Sequence, residues 1–140
     1  MAGCSMDEAT SELTRTWLIK ARADLGSARK LASGPDAYPD AAIYHCQQAA
    51  EKAVKGFLTF HEQRFEKVHN LPLLVSQAMK LRPGLSDLLD AAERLTPYAT
   101  LFRYPGDILE PDPIEFEQAL TDAEQFYAYI LETLPQEVRP

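Results

Sequence analysis

"AAIYHCQQAAEKAVKGFL", residues 41–58, is the stretch on which the fold turns. Ile43, Cys46, Ala50, Ala53 or Val54, and Phe57 recur at the three-four spacing of one helix face. No proline interrupts them and Gly56 is the one glycine, so the spacing predicts a helix over about 39–62 with that stripe turned to a core. The same residues carry amides and charges that a core helix does not require. His45, Gln48, Lys52 and Lys55 form a second stripe beside the apolar one. Such groups can bond another helix of the domain or of a second copy, hold a phosphate, or stay in water. Glu51 precedes Lys55 at the favourable acid-first spacing of four, whereas the adjacent Lys52 points about 100° away from it.

On the N-terminal side, Leu18, Ala21, Leu25, Ala28 and Ala32 mark a first helix over about 8–32. "SGPDAYPD" stops it, and Pro39 opens the next helix as a first-turn proline. On the C-terminal side, "RFEKVHN" breaks the pattern. Leu71, Leu74, Ala78 and Leu81 resume it behind Asn70, a residue type suited to an N-cap, and "RPG" at 82–84 ends that short helix. Leu85, Leu88, Leu89, Ala92 and Leu95 carry a fourth helix, with Pro97 limiting its course. Asp112, Pro113 and Glu115 then read as N-cap, first helical residue and capping-box partner of a fifth, which continues through Phe116, Leu120, Ala123, Tyr127, Ile130 and Leu134.

No segment of useful length alternates with period two, and no internal repeat is visible. The expected fold class is therefore all-α, an up-and-down antiparallel bundle of four to five helices. Residues 8–134 form one domain, with 1–7 and 135–140 as flexible ends. A chain of 140 residues with 46% hydrophobic and 25% charged residues has the balance of a folded domain.

A net charge of −7 disfavours broad coating of nucleic acid and leaves room only for a local basic site. Cys4 and Cys46 lack metal-ligand spacing and read as reduced thiols. His45, His61 and His69 have no cooperating carboxylate pattern in the sequence, so neither metal nor cofactor is implied. No run approaches the ~18 apolar residues of a membrane span, and "MAGCSMDEAT" has no export signal, so a soluble cytoplasmic protein is expected.

The opening "WLIKARADLGSARKLA", the 41–58 stretch, "HNLPLLV" and "TLFRYPGD" occur in this order, and together they closely resemble the HEPN family, named for higher eukaryotes and prokaryotes nucleotide-binding. The resemblance spans about residues 15–134. It implies a homodimeric helical bundle and pairing with a small nucleotidyltransferase in a toxin-antitoxin-like module, with nucleotide binding as a further property. Many relatives are metal-independent ribonucleases, with an Arg followed four to six residues later by a His near a late helix. Here Arg103, in "FRYPGD", has no such histidine.

Arg64 and His69 have that spacing but stand between the second and third helices, and with three histidines in the chain a chance match is about as frequent as not. If RNA is cut here, His69 would move the proton of the attacking 2′-hydroxyl and Arg64 would stabilise the phosphorane-like charge. The bland reading makes His69 a loop anchor and Arg64 a solvated cation, although Arg64, Lys67, His61 and His69 together form the one local cluster where an anion could rest. At "FRYPGD", Tyr104 packs, Pro105 stops the helix and Gly106 turns the chain, or else Arg103 and Tyr104 contact a nucleotide phosphate or a partner. Asp107 could absorb Arg103 as an ion pair. The aromatics Phe116, Phe126, Tyr127 and Tyr129 read as core and interface rather than as a base-stacking platform. The reading favoured overall is a binding module with little or no enzymatic activity, with the Arg64/His69 ribonuclease as its alternative.

Overall fold

The computed structural model describes residues 4–106 and 110–140, and side chains from Glu8 onward. Five α-helices follow in order: α1 (Cys4–Leu31), α2 (Pro39–Phe60), α3 (Leu71–Met79), α4 (Leu89–Leu95) and α5 (Pro113–Glu132). Among the described residues there is no strand. Short 3-10 segments at Pro83–Leu88 and Thr96–Ala99 flank α4, so the expected fourth helix is a composite. Pro83 and Pro97 each stand at or next to the first position of a 3-10 turn, where a missing N–H costs least.

The helix boundaries follow local chemistry. Asn70 caps α3 by accepting from the Leu73 N–H at 3.1 Å, and Asp112 caps α5 by accepting from the Glu115 N–H at 2.8 Å. The capping box expected at α5 is only half made. The Glu115 carboxylate accepts from the Tyr98 hydroxyl at 2.6 Å and thereby ties the Thr96–Ala99 turn to α5. Burial, with that carboxylate beside it, pushes the Tyr98 phenol well above the ordinary tyrosine range.

The apolar stripes of the sequence form the core. Leu18, Ala21, Leu25 and Ala28 of α1, Ile43, Cys46, Ala50, Ala53, Val54 and Phe57 of α2, and Ala123, Tyr127 and Ile130 of α5 are buried together. Leu81 and Ala32 are exceptions; α3 ends at Met79, with Leu81 exposed in the turn beyond it, and α1 ends at Leu31, with Ala32 half-buried after it. The C-terminal residues pack instead of hanging free. Gln136–Val138 makes a 3-10 turn, Val138 is buried, and Arg139 donates to the Leu134 carbonyl.

Helix α2 is the central element, packed by α1, α3, α4, the Thr96–Ala99 turn and α5. It is consequently buried on nearly every face, from Ala42 to Leu58. Small residues permit this: an added Cβ on Gly56 would stand 3.2 Å from the Trp17 Cβ and 3.3 Å from a Leu18 methyl. The closeness of α1 and α2 sets the environment of every polar residue between them.

Candidate functional site

The polar stripe of α2 does not flank the core; half of it lies inside. Gln48 and Lys55 are buried, as are Gln47 and Glu51, which the periodic stripe omitted. Glu51 is the hub. Its Oε1 accepts from His69 Nδ1 at 2.8 Å and from Gln47 Nε2 at 3.1 Å, and its Oε2 accepts from Lys55 Nζ at 3.0 Å. Gln48 Nε2 in turn donates to Gln47 Oε1 at 2.8 Å. Burial raises the Glu51 pKa, but the hydrogen bonds from His69, Lys55 and Gln47 outweigh it and hold the carboxyl below its ordinary 4.5. The Lys55 ammonium also lies 5.9 Å from the Trp17 ring centroid and 5.6 Å from that of Phe65. Two aromatic faces thus share its charge with Glu51.

A second cluster joins α1 to α2. Asp24, on the same side of α1 as Ala21, Leu25 and Ala28, accepts from Lys52 Nζ at 2.6 Å and pairs with His45 Nδ1 at 2.7 Å. Asp24 is itself buried while both partners are half-buried. Sequence reasoning overlooked Asp24. The available signal was a carboxylate placed among the small and aliphatic residues of a core-facing helix. A further ion pair, Arg94 to Asp122 at 2.8 and 2.9 Å with Gln118 as an added donor at 3.0 Å, joins α4 to α5. Among the described residues, no buried side-chain nitrogen or oxygen lacks a hydrogen-bond partner.

Arg64 and His69, which the ribonuclease reading brings together, are engaged separately. His69 turns Nδ1 to Glu51 with its ring 59% exposed, while the Arg64 carbonyl accepts from the Gln77 side chain and its guanidinium forms no ion pair among the described residues. His61 packs against Phe57 and Phe60, with ring centroids 4.6 and 5.2 Å away. That burial, with Arg82 nearby, lowers its pKa and favours the neutral ring. His61 is therefore a packing residue.

Arg103 lies elsewhere, beside the first turns of α2. The Arg103 guanidinium stacks on the Tyr44 ring at 3.9 Å, over a groove of about 350 Å³ lined by Asp40, Ala41, Tyr44 and Phe102. Phe102 holds a left-handed φ of 68° while stacking on Tyr98 at 6.1 Å, a conformation that disfavours a bulky L-residue. Tyr104 does not pack as expected. It is 72% exposed and follows the turn closed by the Arg103 N–H on the Thr100 carbonyl. Asp107, the suggested ion-pair partner of Arg103, lies outside the described residues. The aromatics of α5 behave as core: Phe126 and Tyr127 are buried, and Phe116 and Tyr129 pack against the core. Among the described residues, no three His, Cys, Asp or Glu side chains group as metal ligands.

The fold and its polar centre define an all-α helical-bundle domain in which one helix carries both the core and the buried network. A family model for the HEPN domain matches residues 14–134, and the chain belongs to that family. Its fold matches the crystal structure of an archaeal HEPN homologue with a TM-score of 0.66 at 28% identity, covering 86% of this chain and 96% of that one. No curated protein matches. No helix among the described residues is long and apolar enough to cross a membrane.

Proposed function

We propose that this HEPN domain is a cytoplasmic binding module. It acts as a homodimer, as HEPN domains commonly do, and pairs with a small nucleotidyltransferase in a toxin-antitoxin-like module. The observation that supports this reading is the internal use of the chemical residues. Glu51, Lys55 and Gln48 hydrogen-bond to neighbours inside the domain, and Lys52 and His45 are tied to Asp24. These side chains therefore serve the framework, and function falls to the surface it presents. Arg103 over Tyr44, beside exposed Tyr104, is the part of the candidate set open to a nucleotide phosphate or a partner. Co-expression with small nucleotidyltransferases of the source genome, followed by light scattering, tests the reading. A homodimer that carries a nucleotidyltransferase through purification supports it, and a monomer that captures none refutes it.

The ribonuclease reading keeps one observation in its favour. His69 has its Nδ1 fixed by a buried carboxylate while more than half of its ring faces solvent, the arrangement of a histidine able to exchange a proton at Nε2. Metal-independent cleavage of RNA that disappears in His69→Ala would select it.

A further inference from the structure

The 61–70 segment and α3 enclose a groove of about 480 Å³. Phe65, Val68, Leu73 and Leu74 supply its apolar surface, and Arg64 and Lys80 stand in its lining. Leu73 is 53% exposed, whereas Leu74 beneath it is buried. On the other side of Phe65 a second depression, lined by Leu13 and Trp17 among others, continues the apolar surface onto α1. Leu13 is 54% exposed.

The groove is held open by bonds that belong to the framework. The Gln77 side chain donates to the Arg64 carbonyl, Gln63 N–H donates to the Leu58 carbonyl at 2.9 Å, and His69 is held by Glu51 at 2.8 Å. A preformed groove spares a ligand the entropy of ordering it.

Its charge departs from that of the chain. Residues 61–82 carry Arg64, Lys67, Lys80 and Arg82 against Glu62 and Glu66, in a protein of net charge −7. None of the four cations forms an ion pair among the described residues, although the cations of α2 are paired. Arg64 and Lys80, in the lining and without a carboxylate partner among the described residues, beside an exposed apolar floor fit an acidic, apolar ligand. The lining has one aromatic ring, Phe65, whose neighbours Trp17 and Lys55 occupy its surroundings, and its one carboxylate, Glu66, stands against two cations. A base-stacking platform would need several exposed rings in succession.

We propose that this groove is a docking site for a peptide segment of a partner protein, in which Leu, Ile or Phe anchors alternate with Asp and Glu. The anchors fill the space between Phe65, Val68, Leu73 and Leu74, and the flanking carboxylates meet Arg64 and Lys80. The assignment concerns a surface and its chemistry, and it stands whether or not the partner is a nucleotidyltransferase.

The test selects a random-peptide phage library on the immobilised full chain. The consensus peptide is then synthesised with a fluorescent label and measured by anisotropy. The expected consensus is apolar and acidic, and Leu73→Asp and the double variant Arg64→Glu/Lys80→Glu weaken its binding by about tenfold or more each. Lys30→Glu, on the exposed end of α1, leaves it unchanged. Circular dichroism confirms that these surface variants fold. The proposal is overturned by failure to enrich any peptide, by a consensus without acids, or by binding indifferent to both groove variants. A uridine oligonucleotide that displaces the peptide and binds more tightly would reassign the groove to RNA. A change of homodimer mass in the groove variants would reassign it to a second copy of this chain.

Discussion

Replacing Glu51 by Gln removes the negative charge at the hub of the buried network while keeping its shape. Lys55 is 7% exposed and would be left with its ammonium facing an amide in place of a carboxylate. Breaking a buried pair by removing one partner costs roughly 3–5 kcal/mol. The Trp17 and Phe65 rings near the Lys55 ammonium return about 1 kcal/mol of that. The more exposed His69 adds little to the loss. The net expectation is a loss of about 3 kcal/mol, or roughly 10 °C in Tm for a domain of this length. Urea unfolding followed by far-UV circular dichroism measures it. Lys55→Met in the Glu51→Gln background recovers a large part, because the uncompensated charge is gone. The effect also depends on pH. The folded Glu51 carboxyl titrates below its ordinary 4.5, so its stabilisation is complete above that value and is lost as pH falls through the depressed one. The gap between wild type and Glu51→Gln should therefore narrow below about pH 4.5. A loss under about 1 kcal/mol at neutral pH, the range of a solvated surface pair, would show that Glu51 and Lys55 do not form a buried, mutually dependent pair.

Three other expectations follow from single residues. Gly26 lies within α1 with nothing within 4 Å of an added Cβ, so Gly26→Ala should raise stability by about 0.5–1 kcal/mol in the same assay. Arg94→Ala strips the bidentate partner from buried Asp122; because Arg94 is itself about half exposed, the loss should be about 1–2 kcal/mol in urea unfolding. Cys46 is buried with its thiol pushed up to about 12, so in a Cys4→Ser background it should resist a thiol-specific chromogenic reagent until denaturant is added.

The helices were legible in the sequence because each presents one apolar face, and "AAIYHCQQAAEKAVKGFL" shows that face without interruption. The polar half of the same helix was misread in depth. Periodicity along one helix reports which residues share a side and says nothing about how many neighbours surround it. Helix α2 is enclosed, so Gln48 and Lys55 became interior groups where a flank was expected. The small residues Ala49, Ala50, Ala53 and Gly56, spread around the helix, were the hint of close approach on several faces. The Glu51–Lys55 pair was readable from its spacing, but its partners His69 and Gln47 depend on how the 61–70 segment folds back. Asp24 escaped for the same reason, since its meaning comes from His45 and Lys52 on another helix. Tyr104 shows the converse: an aromatic residue beside a proline reads as packed, yet it stands exposed two residues after Phe102, whose left-handed φ the sequence does not announce.

The account rests on the polar residues of α2 and the 61–70 segment being framework and not catalyst. A time course with labelled single-stranded RNA in a metal chelator, comparing the purified protein with His69→Ala, tests that most directly. The binding-module account predicts intact RNA with both proteins. Cleavage by the wild type that disappears in His69→Ala would contradict it and make the Glu51-held histidine the working base of a ribonuclease.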